Sequence, residues 1–382
     1  MKHFFTLGYM PQYLPYGIVI GIICAAYAFF RTKGLIHSFG KNPKSGKSLA
    51  LRGVLAALNF PFCFNIWSSA CAVAFYIMLS GVIADLLAFI AHKLFKMKEG
   101  SKFYLCGGLT VVLFIAFLLH GLYGISTVKR TDYSVSSPNV SKNYRIVFIS
   151  DTHYGTVQSK SVLKDHIEEI NALSPDAIVL GGDMVDERTS KADMYEVFAE
   201  LGKLNATYGI YFVYGNHDRQ AFSGDLKNGE RTFTDIELEN AITDNGIAIL
   251  SENYAVIGGE IVLVGREDNG WDGEHGRAKA EDLIAGMPEQ MMKVMLDHQP
   301  VEAKENAALG FELQLSGHTH GGQLFPFGIM QTAMGWKNYG EFKVGSMTHI
   351  TSSGLCGWGW PVRNEYPCEY VVVTVSPAEQ EG

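Results

Sequence analysis

Five short apolar runs in the latter two thirds of this 382-residue chain each end in side chains able to bind cations or move protons. The first closes with Ser150-Asp151-Thr152-His153, the second with Gly182-Asp183-Met184-Val185-Asp186, and the third with Gly215-Asn216-His217-Asp218. Two later runs close with Asp297-His298-Gln299-Pro300 and Gly317-His318-Thr319-His320. Imidazoles beside Asp and Asn, without thiolates, form a nitrogen-and-oxygen donor set suited to divalent transition ions. Asp-x-His and His-x-His spacing on extended chain points both side chains the same way, because strand side chains alternate. Glycine ahead of the ligands (Gly182, Gly215, Gly317) permits sharp turns and close backbone approach. Two such pairs sharing one Asp are enough for two metals. Singly, each motif recurs by chance or as core packing; five in series at strand ends do not fit packing.

The elements that must carry these residues follow from periodicity. Buried-strand patterns occur at 145–150, 177–181 and 210–214, with amphipathic helices near 160–173 and 191–203 between them. Further strands are expected near 246–250, 254–257, 260–265, 292–296, 311–316, 347–352 and 369–375. The early βαβα alternation predicts an α/β layered sheet, and the strand-rich remainder a second sheet packed on it. In such sheets function collects at the carboxyl ends of strands, so the five clusters should converge.

Charge divides the chain. Residues 1–130 hold 13 Lys and Arg against 2 Asp and Glu; residues 131–382 hold 18 against 37. The acidic part argues against nucleic acid as a partner, since phosphate backbones demand clustered cations. The basic part holds the long apolar runs. Residues 13–30, 68–91 and 103–124 each approach the roughly 20 apolar residues a membrane-spanning helix needs. The shorter stretch 51–66, interrupted by Asn59, Pro61 and Asn65, reads as a kinked fourth span or a re-entrant segment. Both basic loops, 31–52 and 92–102, should be cytoplasmic, which requires an even number of crossings between them. Four spans satisfy this and place the C-terminal domain outside the cell (inner) membrane. Asp85 lies within a span and is expected to pair with Asn59, Asn65 or His120. Residues 125–143, Ser-rich and weakly periodic, read as a linker between a transmembrane region (1–124) and a soluble domain (144–382). Of six cysteines, Cys356 and Cys368 lie in the soluble part and are candidates for a disulfide in an oxidising compartment.

In order, DTH, GD, GNHD, DHQP and GHTHGGQ resemble the calcineurin-like metallophosphoesterases, and most the membrane-associated bacterial YkuE- and YaeI-like branch. The resemblance covers about 145–376 and implies a four-layer α/β/β/α sandwich with a dinuclear site. It implies that Asp151, His153 and His320 hold one divalent ion (Mn2+, Fe2+ or Zn2+), that Asn216, His298 and His318 hold the other, and that Asp183 bridges them. His217 would protonate the leaving oxygen or stabilise the transition state, with Asp218 orienting it. The implied reaction is metal-assisted hydrolysis of a phosphodiester or pyrophosphate, with activated water attacking phosphorus in line. Thr152 departs from the family's usual Leu, which should affect packing only. Asp186-Glu187 stands where protein phosphatases of the superfamily carry Asp-Arg-Gly, so their phosphate-gripping Arg is missing.

Downstream, Leu324, Phe325, Phe327, Met330, Trp336, Tyr339, Trp358 and Trp360 mark either a greasy rim for an acyl chain or the bilayer, or a satellite core under a loop. Arg363 is expected to form a structural ion pair or to grip a phosphate. Membrane lipids and a small or lipid-linked phosphoester are the expected partners. A UDP-2,3-diacylglucosamine-type pyrophosphatase is the alternative, weakened because that substrate faces the cytoplasm. A non-catalytic metal-binding membrane sensor is a second alternative, and a transporter resting on Asp85 a weaker third.

Overall fold

The computed structural model describes residues 14–58, 61–63, 66, 68–96, 99–223, 230–270, 276–287 and 290–378. They form two units, one covering the chain to Gly121 and the other from Leu122 onward.

In the first unit, α1 (Leu14–Ser38), α3 (Ser69–Phe95) and α4 (Glu99–Ser126) contain the three helices that, among the described residues, are long and apolar enough to cross a membrane. Among the described residues no fourth helix is long and apolar enough to span. The stretch expected to provide it carries α2 (Gly46–Ala57), only 12 residues and so about 18 Å long, followed by a 3-10 turn at Pro61–Cys63. Asn59 and Asn65 fall outside the described residues.

Contacts fix the helix directions. Cys24 meets Met78 (3.5 Å), Tyr27 Oη donates to Asp85 (2.9 Å) and Arg31 pairs with Asp85 (3.3 Å). Residue numbers rise together, so α1 and α3 are parallel. Arg31 also reaches Thr110 and the Cys106 carbonyl, while Tyr76 stacks on Phe117, so α4 runs antiparallel to α3. The chain between parallel α1 and α3 must therefore return along α1. It does so through α2, where Arg52 donates to the Phe29 carbonyl (2.8 and 3.0 Å), and through Cys63, packed with Cys24 and Cys71. Asp85 thus pairs within the helix bundle, as expected, but with Arg31 and Tyr27 rather than with His120, one of the three partners anticipated.

The second unit has two six-stranded sheets. One has the order β1-β12-β2-β3-β4-β5: β1 (Val128–Ser137), β2 (Tyr144–Ile149), β3 (Ala177–Leu180), β4 (Ile210–Phe212), β5 (Ile247–Ile249) and β12 (Cys368–Pro377). The other has the order β10-β11-β9-β8-β7-β6: β6 (Asn253–Ile257), β7 (Ile261–Gly265), β8 (Met292–Leu296), β9 (Leu313–Ser316), β10 (Gly340–Val344) and β11 (Met347–Thr351). β2, β3, β4 and β5 are parallel neighbours, as are β7, β8, β9 and β11. Among them β2, β3, β4 and β7, buried on both faces, read as nearly continuous apolar runs.

Alternate residues sort to two cores. Ile146, Phe148, Val179, Leu263, Val294 and Val371 fill the space between the sheets. Val147, Ile149, Ile178 and Leu180 face α5 (Ser161–Ala172), α6 (Lys191–Leu201) and α7 (Asp235–Thr243). On the far side, Val262, Val264 and Met295 pack near α8 (Ala280–Ile284) and α9 (Ala303–Ala308). This is the four-layer α/β/β/α sandwich. Helix starts are sequence-coded: Ser190 accepts from Asp193 N, and Thr234 with Glu237 forms a capping box.

Three expectations are corrected. The supposed linker is largely strand: β1 pairs in parallel with β12 along all ten residues from Val128 to Ser137. As an edge strand it is mostly open to solvent, which explains its polar, weakly periodic sequence. Cys356 and Cys368 are free, buried thiols rather than a disulfide. Arg363 is fully buried and donates to the carbonyls of Ser353, Pro367 and Cys356, so it forms neither an ion pair nor a phosphate grip.

The Arg31–Asp85 pair yields a test. Arg31→Met strands a carboxylate among apolar helices and should lower the apparent Tm in detergent by several degrees. Arg31→Met/Asp85→Leu should recover most of that loss. A double variant less stable than the single one would contradict the pairing.

Candidate metal centre

The carboxyl ends of β2, β3, β4, β8 and β9 deliver all five motifs to one place. Asp151, His153 and His320 offer ligand atoms within 4.8 Å of one another, and so do Asp183, His298 and His318. Asn216 Oδ1 lies 2.8 Å from His318 Nδ1, which brings the amide to the second group. Asp183 stands between the groups: its Oδ2 is 3.0 Å from His298 Nε2 and 3.7 Å from His153 Nε2. All seven predicted donors therefore converge.

The loops are held in conformations that most sequences avoid. Asp151 (φ 55°), His153 (37°), Asp183 (55°), His318 (72°) and His320 (50°) all occupy left-handed backbone. Such strain persists only where surroundings over-determine it, and it collects at functional sites. The glycines supply the room. A Cβ on Gly182 would sit 2.7 Å from His298 Nδ1, one on Gly215 would fall on Asp183 Oδ1, and one on Gly317 would meet Asp151 Oδ2.

Asp218 does something other than orient His217. Its buried carboxylate accepts from the backbone N–H groups of Asp183 (2.8 Å), Met184 (2.8 Å), Val185 (3.2 Å) and Gly215 (2.7 Å), clamping two ligand loops together. The group on the His217 ring is Glu187, whose Oε2 lies 2.8 Å from Nδ1. Asp186 faces His153 Nδ1 at 3.5 Å. Thr152 does more than pack, since its hydroxyl donates to the Met184 carbonyl at 2.6 Å. The pair Asp186-Glu187, read only as the absence of an Arg, thus supports two imidazoles. The signal available in sequence was two carboxylates placed just after a strand-end Asp.

The donor chemistry fits divalent cations. Both ring nitrogens of His153 and Nε2 of His298 are buried and face only carboxylates, without a well-formed hydrogen bond to any of them. Orphaned buried polar atoms require explanation, and an ion supplies it. His298 Nδ1 bonds the Gly181 carbonyl (2.8 Å) and His320 Nδ1 the Cys356 carbonyl (3.1 Å), leaving each Nε2 to face inward. Burial, reinforced by neighbouring imidazolium charge, pushes His318 down to about 3 and holds His320 well below its usual range. Both are then neutral and able to ligate. Burial alone would raise Asp183, but the charges of His298, His217 and His153 hold it well below the carboxylate range.

The family profile described as calcineurin-like phosphoesterase matches residues 144–322. An uncharacterized metallophosphoesterase of Bacillus subtilis, YkuE, is 30% identical over 260 residues, covering 66% of this chain and 85% of that protein. The chain belongs to the calcineurin-like metallophosphoesterases. Another relative, the uncharacterized metallophosphoesterase Cj0846 of Campylobacter jejuni, is 27% identical over 270 residues, 70% of this chain and 69% of its own. A Bos taurus protein named transmembrane protein with metallophosphoesterase domain is 26% identical over 324 residues, 79% of this chain and 72% of its own. The metallophosphoesterase fold implies divalent metals, and the apolar helices associate the chain with a membrane.

The glycine argument is testable without substrate. Gly215→Ala places a methyl on the Asp183 carboxylate and should abolish tight Mn2+ binding in calorimetric titration, at a stability cost of about 1–3 kcal/mol. Wild-type affinity in that variant would contradict the geometry.

Proposed function

We propose that this metallophosphoesterase is a membrane-anchored phosphohydrolase acting on phosphodiester or pyrophosphate bonds of a lipid-linked substrate. The observation that carries this reading is the convergence of six further donors around Asp183, with His217 beside them. Asp151, His153 and His320 would hold one divalent ion and Asn216, His298 and His318 the other, with Asp183 shared. Bound there, two such ions supply Lewis-acid polarisation of the phosphoryl oxygens and lower the pKa of a coordinated water.

The remaining steps belong to side chains. Burial works against a proton on His217, but the Glu187 and Asp183 carboxylates outweigh it and raise the imidazole to about 9. Paired with Glu187, His217 is placed to carry a proton and donate it to the leaving oxygen. Its backbone N–H is fixed on Asp183 Oδ1 (2.9 Å) and its ring on Glu187, so Nε2 is the atom left for the substrate.

An apolar rim supports a lipid-linked substrate. On α10 (Phe327–Ala333) and just beyond it, Ile329, Met330, Met334 and Trp336 are exposed, Met334 at 70% and Trp336 at 56%. Other apolar residues of the segment serve differently: Leu324 is core, and Trp358 stacks on His217 at 5.1 Å.

The parallel course of α1 and α3 supports an extracytoplasmic catalytic domain in an inner membrane. It brings Lys41 and Lys44, after α1, to the same end as Lys93 and Lys96, at the end of α3. The positive-inside bias makes that end cytoplasmic, and α4 leads away from it.

Three measurements check the reading. Release of p-nitrophenol from bis-p-nitrophenyl phosphate with Mn2+ should be abolished by Asp183→Asn and lowered about 100- to 10,000-fold by His217→Asn at unchanged metal content. Full turnover of the refilled Asp183→Asn variant would exclude the mechanism. Glu187→Gln should move the alkaline limb of kcat/KM about 1–3 units lower, because removing the carboxylate favours loss of the His217 proton; an unmoved limb would exclude His217 as the donor. In intact spheroplasts, an impermeant maleimide should label Lys304→Cys but reach Lys44→Cys only after lysis; the reverse pattern would overturn the topology.

A further inference from the structure

The loop after β3 is buried from Gly181 to Thr189 except at Arg188. Its neighbours fix it rigidly. Asp186 Oδ1 accepts from Arg188 N (2.7 Å), Thr189 Oγ1 accepts from Asp186 N (2.9 Å), and Gln220 donates to the carbonyls of both Asp186 and Thr189. Arg188 thus projects a cation into solvent from a framework that also positions the Asp186 and Glu187 carboxylates. Among the described residues its guanidinium forms no salt bridge. It lies 5.9 Å from the Trp358 ring, and Trp358 in turn stacks on His217 at an interplanar angle of 30°. Phe222 closes the other flank of His217 at 5.4 Å. The order His217, Trp358, Arg188 leads outward from the group that protonates the leaving oxygen. A cation there faces whatever the leaving group carries.

We propose that Arg188 binds an anionic phosphate on the leaving-group side of the scissile bond, which makes the preferred substrate a pyrophosphate diester rather than a simple diester. This rests on the phosphohydrolase reading above. In the reaction the oxygen of water bonds to phosphorus, the bridging P–O bond breaks, and its electron pair stays with the departing phosphate. His217 gives its proton to that oxygen, and the guanidinium offsets the phosphate charge. An unshared guanidinium meets phosphate oxygens through two parallel N–H donors, a geometry an ammonium cannot copy. The Trp358 ring, 5.9 Å from the guanidinium carbon, gives the cation a π face to rest near while its N–H groups stay open to an anion.

The test uses the Mn2+-loaded full-length protein in detergent and two probes with identical aryl groups, bis-p-nitrophenyl phosphate and P1,P2-bis-p-nitrophenyl pyrophosphate. Products are separated chromatographically. Wild type should favour the pyrophosphate. In Arg188→Ala the ratio of kcat/KM for pyrophosphate over diester should fall about 10- to 100-fold, the usual span for losing a charged hydrogen-bond partner. Arg188→Lys should restore only part of it. Calorimetric affinity for the pyrophosphate probe, measured on protein with Asp183 intact but held at low temperature, should weaken about tenfold in Arg188→Ala. An unchanged ratio together with unchanged affinity overturns the role of Arg188 and leaves the hydrolase reading standing. If wild type hydrolyses neither probe, the hydrolase reading falls, and the affinity comparison alone decides whether Arg188 binds the anion.

Discussion

One carboxylate organises the catalytic unit. Asp183 lies where the two sheets present their strand ends, with one oxygen near His298 and His153 and the other accepting from the His217 backbone. Unpaired carboxylates and imidazoles at that density are costly to bury, and a cation between them relieves the cost. The surrounding features follow from holding it there. Gly182 and Gly215 vacate the space a methyl would fill, Asp218 gathers four backbone N–H groups from the Asp183 and Asn216 loops, and five ligand residues accept left-handed backbone. The strain is held by the flanking parallel strands, whose apolar residues are wholly buried on both faces.

The supporting residues complete the logic. Carbonyls of Gly181 and Cys356 fix two imidazoles, while Asp186 and Glu187 face two others. Arg363, entirely enclosed, braces the carbonyl that holds His320. None of these groups needs to touch a substrate, yet each limits how far a ligand ring can turn.

Legibility in the sequence followed the same division. Strands buried on both faces, such as Arg145–Ile149 and Ala177–Leu180, read as apolar runs, and the residues ending them could be placed by strand-end logic alone. β1 could not, because an edge strand carries Lys129, Arg130 and Asp132 toward solvent and shows no clean alternation. The roles of Asp218 and Glu187 were also hidden. Both are carboxylates near His217 in the chain or in space, and only the fold reveals that one faces backbone and the other the ring. Likewise Arg363, apt for phosphate by type, is committed by depth to three carbonyls. In the membrane unit, hydropathy located the three long helices and its interruptions marked 51–66 as a kinked or re-entrant stretch, but not the contacts of Arg52 and Cys63 with particular atoms of α1 that hold that stretch in place.

The most direct measurement is anomalous diffraction from crystals of the Mn2+-loaded protein. Two manganese peaks flanking the Asp183 carboxylate, one against Asp151, His153 and His320 and the other against Asn216, His298 and His318, are the predicted result. A single peak that leaves Asp183 unshared, or ions bound elsewhere while these side chains remain empty, would contradict it.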